Sequence, residues 1–141
     1  MSKIKRISTI LLSVVLTISY LALPTSAAFD SSGDILHPMY TNVNNATISL
    51  DKINDKIVIT IRVYGLSGTR FSSGEVALLK TSGTNTGLVQ SWDRLSSSTT
   101  TFIFTDNSTT ATSGTYKVNF SIKALRNGVG ETISGSDTLT V

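Results

Sequence analysis

The amino-acid sequence predicts an all-β protein whose main part is an antiparallel sandwich of about seven strands. Residues 56–64 and residues 114–125 alternate between two faces with the period of two that is typical of strands. Shorter runs rich in β-branched residues surround these two segments, and Gly, Asn and Asp residues separate the runs. Beyond residue 28, no apolar period of 3.6 residues indicates a helix. A small barrel built from the same strands is the alternative architecture.

Seven strands are predicted in chain order, each bounded by turn residues. They cover residues 46–50, 56–64, 75–80, 88–95, 99–105, 114–125 and 131–141. Ile59 and Ile61 on the second strand are expected to face the core, so Arg62 and Tyr64 are expected on its outer face. The Asn127-Gly128 pair predicts a tight hairpin before the last strand, because Asn and Gly tolerate positive φ.

Residues 1–28 have the order of a secretory signal peptide. Three basic residues come first, residues 7–23 are mostly apolar, and small residues occupy most of positions 25–28. The apolar segment is short for a membrane-spanning helix, which needs about 20 residues. We therefore predict cleavage after Ala27 or Ala28, with a retained N-terminal anchor as the alternative.

This cleavage leaves residues 29–45, expected to form an irregular arm, and residues 46–141, expected to form the sandwich domain. It removes three of the 12 Lys and Arg residues and none of the nine Asp and Glu residues, so the mature chain has a formal net charge of zero. The absence of a basic cluster excludes a nucleic-acid partner. The absence of cysteine excludes disulfides and thiol chemistry. We expect a secreted, extracellular protein, free or loosely associated with the cell wall, with no membrane attachment after cleavage.

Residues 113–118 read Ser-Gly-Thr-Tyr-Lys-Val, which resembles the Gly-x-Tyr-x-Cys segment that opens the sixth strand of immunoglobulin-like domains. The resemblance implies that Tyr116 hydrogen-bonds to upstream backbone and that Val118 stands where those domains have a cysteine. More widely, residues 46–141 resemble the small secreted immunoglobulin-like β-sandwich proteins of Gram-positive bacteria. The shared pieces are Leu79-Lys80, Ser91-Trp92, residues 114–118 and Asn127-Gly128. This likeness implies a fold and an extracellular location, but no reaction.

The sequence holds little material for catalysis. Its only histidine, His37, precedes a proline in the predicted arm, and no Gly-x-Ser-x-Gly motif accompanies the many serines. The acidic residues mostly flank turns, where Asp side chains ordinarily accept bonds from nearby backbone amides. Asp51, Asn54 and Asp55 offer calcium ligands, but they lack the spacing of a calcium loop. We predict no enzymatic activity, no bound metal and no cofactor.

Binding is the function class that remains, and three residues are its candidates. Arg62 and Tyr64 are expected side by side on an outer face, where an aromatic ring and a guanidinium suit a protein partner. Trp92 is expected to fill the core, with an exposed position as the alternative. We predict a non-catalytic binding or structural module that acts at or outside the cell surface through protein interaction. The alternative is a carbohydrate-binding module that stacks a cell-wall or extracellular glycan on Tyr64 or Trp92. The oligomeric state stays open.

Residues 96–101 are six consecutive Ser and Thr residues. We expect them to form a loop and the soluble, Thr-rich surface of a sheet. The alternative is a polar array that faces ice, a glycan or the cell wall.

Overall fold

The computed structural model describes residues 40–141, and all regular secondary structure in this part is β-strand. The predicted signal peptide, His37 and most of the predicted arm lie outside the described residues. The strands are β1 (Val43–Ile53), β2 (Lys56–Gly65), β3 (Arg70–Ser82), β4 (Asn85–Ser97), β5 (Thr101–Asp106), β6 (Thr115–Arg126) and β7 (Val129–Thr140). Within residues 40–141 there is no helix with the length and apolar character needed to cross a membrane.

The seven strands form two antiparallel sheets that pack face to face. One sheet has the order β1-β2-β5, and the other has the order β4-β3-β6-β7. The prediction of an all-β sandwich of seven strands is confirmed. The two sheets are separate hydrogen-bonded ladders, so the barrel alternative is wrong for the described residues.

Several strands are longer than the sequence pattern indicated. β1 begins at Val43, three residues earlier than predicted, and it continues through Asp51 and Lys52, which pair with β2. β3 begins at Arg70 instead of Glu75. These extensions carry mostly polar or small side chains, and the backbone ladder continues through them because its hydrogen bonds do not depend on apolar residues.

The core lies between the two sheets and is built from alternating side chains of both. Ile59 and Ile61 are fully buried, which confirms their predicted orientation. The rings of Phe102 and Phe120 stack across the sheets with centroids 6.1 Å apart. Burial of such a large apolar side chain stabilises the fold by about 1.5–3 kcal/mol. The other large and fully buried aliphatic side chains are Ile48, Ile57, Val63, Val76, Leu78, Val118, Ile122 and Ile133.

Two-residue turns close three hairpins, at residues 54–55, 83–84 and 127–128. Asn127 and Gly128 have φ values of 52° and 76°, so the predicted hairpin between β6 and β7 is confirmed. Asn54 and Asp55 adopt φ values of 48° and 60° between β1 and β2. The turn predicted across residues 51–55 is therefore confined to its last two residues.

One long side of the sandwich, between edge strands β1 and β7, is closed by buried polar side chains. The carboxylate of Asp137, only 8% exposed, accepts the Leu50 backbone N–H at 2.9 Å. The Asn42 amide, only 4% exposed, donates to the carbonyls of Ala124 and Val129 at 3.2 and 2.9 Å. We call this the polar side.

The opposite long side, between edge strands β4 and β5, is closed by aromatic packing. The rings of Trp92 and Phe104 meet edge to face, with centroids 5.1 Å apart. No backbone ladder joins β4 to β5. Near its start, β4 exposes both Leu88 and Val89. We call this the aromatic side.

Candidate functional site

The outer face of the three-stranded sheet brings Arg62 and Tyr64 together, at alternate positions of the central strand β2. Ile61, which precedes Arg62, and Val63, which lies between Arg62 and Tyr64, are fully buried. Arg62 and Tyr64 therefore point away from the core. The Tyr64 side chain is 39% exposed. The sequence predicted this outward orientation on the condition that Ile59 and Ile61 face the core. Both isoleucines are buried, so the predicted orientation agrees with the structure.

Ile103 is the third member of this surface, and the sequence analysis missed it. It lies on β5 directly opposite Arg62 in the ladder, and it is 60% exposed. The signal was present in the sequence, because Phe102 and Phe104 alternate around it. Once both phenylalanines face inward, the residue between them must face outward. We call Arg62, Tyr64 and Ile103 the outer-face patch.

The outer-face patch carries one positive charge in neutral surroundings. Thr47 on β1 also lies opposite Arg62, and Thr101 on β5 lies opposite Tyr64. Within residues 40–141 the single ion pair joins Lys52 to Asp55, so the Arg62 guanidinium has no acidic partner there. An unpaired guanidinium can bind a carboxylate through two parallel hydrogen bonds.

A buried acceptor lies beside the patch. Asn45 is opposite Tyr64 in the β1–β2 ladder, and its Oδ1 atom is buried without a hydrogen-bond partner among residues 40–141. An unsatisfied buried acceptor costs about 1–3 kcal/mol.

Trp92 lies elsewhere in the molecule, on the inner face of β4. It is opposite Val76, which is almost fully buried, and its ring packs against Phe104 and the edge of the core. The side chain is half-buried. The structure therefore brings Arg62 and Tyr64 together and separates Trp92 from them.

Tyr116 makes the hydrogen bond that the immunoglobulin-like resemblance implies. Its Oη atom accepts the backbone N–H of Thr112 at 3.1 Å, while the residue is only 1% exposed. The Lys80 Nζ atom lies 5.3 Å from the centroid of the ring. Burial alone would raise the pKa of the Tyr116 hydroxyl, but the hydrogen bonds with Thr112 and the charge of Lys80 outweigh it. The resulting pKa lies below the usual value of 10.0.

Three of the seven carboxylates in residues 40–141, those of Asp106, Glu131 and Asp137, accept hydrogen bonds from backbone N–H groups. Glu131 accepts the backbone N–H groups of Thr41 and Asn42, and Asp106 accepts bonds from Ser108. Asp55 lies in a hairpin turn, 3.5 Å from Lys52. In residues 40–141, no three His, Asp or Glu side chains are grouped closely enough to hold a metal ion.

The hydroxyl run at residues 96–101 forms the crossing from β4 in one sheet to β5 in the other. Ser97 Oγ donates to the Thr101 carbonyl at 2.7 Å, and Thr99 Oγ1 donates to the same carbonyl at 3.0 Å. The run is thus a bent corner with internal hydrogen bonds, and its hydroxyls do not form a flat array.

Comparison with known proteins identifies no relative of this chain. No protein-family model, no curated protein and no solved structure matches it. Functional argument for this protein therefore depends on its own residues and their arrangement.

Proposed function

We propose that this chain is a secreted, non-catalytic module with an immunoglobulin-like fold, which binds a protein partner outside the cell through the outer-face patch. The observation that carries the proposal is the exposed apolar surface of Ile103 and Tyr64 beside the unpaired guanidinium of Arg62. Exposed apolar groups gathered around one charged anchor are characteristic of interaction surfaces.

The strand order supports the immunoglobulin-like part of the proposal. Immunoglobulin-like domains pair their first, second and fifth strands in one sheet and their third, sixth and seventh in the other. The orders β1-β2-β5 and β3-β6-β7 agree with this scheme, and β4 adds to the second sheet beside β3. The hydrogen bond between Thr112 and Tyr116 is a second point of agreement.

The charge of the patch indicates the chemistry of the partner. Arg62 has no acidic partner in the described chain, and its ladder neighbours Thr47 and Ile103 are neutral. A partner carboxylate that reaches Arg62 would form charge-assisted hydrogen bonds, which are worth about 1.5–3 kcal/mol. An apolar side chain of the partner would cover Ile103 and Tyr64. We therefore propose an acidic protein surface with an apolar centre.

The extracellular location depends on the leader pattern of residues 1–28. Fractionation of the producing cells and N-terminal sequencing of the protein test it directly. We expect a chain that starts at Ala28 or Phe29, in the medium or released from the wall by wall digestion. A full-length chain in the membrane fraction would overturn the cleavage and the secretion together.

Site-specific photo-crosslinking tests the partner proposal. A photoreactive amino acid replaces Ile103 in one variant and Val129 in the matched control, because both side chains are 60% exposed. We expect an adduct with another protein from position 103 and none from position 129. The Arg62→Glu change in the same chain should reduce the adduct about tenfold or more, since like charges would face each other. Lys117→Glu, on the exposed outer face of the other sheet, should leave it unchanged.

The same experiment separates the competing functions. An adduct that glycan digestion returns to the mass of this chain alone would overturn protein binding in favour of a carbohydrate-binding module that uses Tyr64. An adduct between two copies of this chain would identify the partner as a second copy. Equal adducts at positions 103 and 129, or none at either, would overturn the patch as an interface.

A further inference from the structure

A cavity of about 300 Å³ lies on the four-stranded sheet, on different strands from the outer-face patch. It is lined by Arg70, Phe71 and Ser72 of β3, by residues 96–98 and by Leu125 of β6. Its volume is at the lower end of the range for small-molecule pockets. Residues 96–98, the first half of the hydroxyl run, line this cavity and are not part of the outer-face patch.

A bulge in β3 accompanies the cavity. The pairing of β3 with β6 is irregular between Ser72 and Glu75, and Ser73 adopts a φ of 52°. The pairing of β3 with β4 is irregular between Phe71 and Gly74. A bulge bends its strand and redirects the neighbouring side chains. Here it lies at the cavity wall, where the regular ladder on both sides of β3 is interrupted.

The apolar part of the lining is held in place by the core. Phe71 is only 2% exposed, and its ring packs against Phe102 with centroids 6.2 Å apart. Leu125 is 42% exposed and lies opposite Arg70 in the β3–β6 ladder. A small aliphatic group in the cavity would therefore cover the part of Leu125 that is otherwise open to water, which favours its binding.

The polar part of the lining carries donors that the described chain leaves unused. Arg70 is exposed and has no ion pair within residues 40–141, and no acidic side chain lines the cavity. The hydroxyls of Ser96 and Ser98 make no hydrogen bond to the described chain, whereas Ser97 Oγ is occupied by Thr101. Within residues 40–141, one guanidinium and two unused hydroxyls thus border the exposed apolar side chain of Leu125.

We propose that this cavity binds a small aliphatic carboxylate. The Arg70 guanidinium would bind the carboxylate, the Ser96 and Ser98 hydroxyls would donate to its oxygens, and the aliphatic part would lie on Leu125. The C-terminus of a peptide that ends in an aliphatic residue has this chemistry, and so does a short-chain fatty acid. The site goes beyond the proposed function, because it shares no residue with the outer-face patch.

Titration of the ¹⁵N-labelled protein, followed by its amide resonances, tests the proposal. The probes are N-acetyl-leucine, its C-terminal amide, hexanoate and an acetylated tripeptide that ends in leucine. We expect saturable shifts at residues 70–72, 96–98 and 125 with N-acetyl-leucine, and none with its amide. Arg70→Gln should weaken binding roughly tenfold or more, because a charge-assisted pair is lost. Lys117→Gln, which removes an exposed positive charge from the same sheet outside the cavity lining, is the matched control and should bind normally.

Each remaining outcome has a definite meaning. Tighter binding of the tripeptide than of hexanoate would assign the site to peptide termini, and the reverse would assign it to fatty acids. Equal binding of N-acetyl-leucine and its amide, or no saturable shift at millimolar concentration, would overturn the proposal. A normal amide spectrum of Arg70→Gln shows that the variant is folded. Crosslinking at position 103 is independent of Arg70, so the two proposals fail separately.

Discussion

The two long sides of this sandwich are closed by different interactions, hydrogen bonds to backbone on one side and aromatic packing on the other. On the polar side, Asp137 and Asn42 are buried and bond directly to backbone groups of neighbouring elements. On the aromatic side, Trp92 and Phe104 pack edge to face, and no ladder joins β4 to β5. A side-chain hydrogen bond links the two strands at their corner, from Ser97 Oγ to the Thr101 carbonyl. Hydrogen bonds to backbone are directional, whereas aromatic packing tolerates small shifts of the strands.

The two sides also protect the free backbone groups of their edge strands in different ways. An edge strand exposes unpaired backbone groups, and proteins commonly cover or interrupt such edges. On the polar side, the Tyr40 hydroxyl accepts the Ser134 backbone N–H at 3.4 Å, and Asn42 accepts a hydrogen bond from Thr69 Oγ1 at 2.9 Å. On the aromatic side, β4 is protected mainly by its irregular pairing near Leu79 and Gly74.

The largest expected effect is on the polar side, at Asp137. Asp137→Ala leaves the buried N–H of Leu50 without its acceptor, and we expect a loss of about 3 kcal/mol in the free energy of unfolding. Asp137→Asn retains an acceptor oxygen and should lose about half as much. Urea denaturation of the purified protein measures both. Asp51→Ala, an exposed carboxylate on β1, is the control and should stay within about 0.5 kcal/mol.

If Asp137→Ala cost no more than the Asp51 control, the conclusion that buried hydrogen bonds close the polar side would be wrong. The bond to Leu50 would then contribute nothing to closing the sandwich.

A smaller effect is expected on the aromatic side, at Trp92. Trp92→Ala removes a half-buried ring from Phe104, and we expect a loss of about 2 kcal/mol, below the cost for a fully buried aromatic residue. Trp92→Phe should recover part of the loss, because it keeps an aromatic contact. Val89→Ala, an exposed change on the same strand, is the control.

Hydrogen exchange shows whether the Trp92 effect is local. Amides of β4 and β5 should exchange faster in Trp92→Ala, while those of β1 and β7 keep their protection relative to global stability. Equal acceleration on both sides would show that the two sides open together, and the distinction between them would not hold.

The smallest expected effect concerns two tyrosines at high pH. Burial raises the pKa of Tyr40 above 10.0, despite its hydrogen bond with Ser134, whereas the pKa of Tyr116 lies below 10.0. The stability contributed by Tyr40 is present below its unfolded pKa and is lost as pH rises through its folded pKa. Tyr116 contributes stability above its unfolded pKa, and this is lost as pH falls through its folded pKa.

Ultraviolet titration of the phenolate band tests this order of ionisation. Difference curves between the parent protein and Tyr116→Phe or Tyr40→Phe isolate each group. We expect Tyr116 to ionise first, and we expect Tyr40→Phe to reduce the alkaline loss of stability. The reverse order would mean that Tyr40 is not buried on the polar side.

Local pattern was sufficient for much of the fold and for two of the three residues of the outer-face patch. Alternation within residues 56–64 predicted the outward direction of Arg62 and Tyr64, because side chains on a strand alternate whatever the strand pairs with. Asn127-Gly128 predicted its own turn for the equally local reason that both residues accept positive φ. Ile103 was within reach of the same rule.

Features that depend on contacts between distant parts of the chain could not be predicted from the sequence pattern. Asp137 reads as one more strand-end carboxylate until β1 packs against β7, 87 residues away in the chain, and supplies the Leu50 N–H. The sequence left both a core and an exposed position possible for Trp92, because its packing depends on Phe104 from the other sheet. The Arg70 cavity requires three strands and a bulge to meet. Periodicity and turn preference are properties of neighbouring residues, whereas these sites exist only once the sheets have paired and packed.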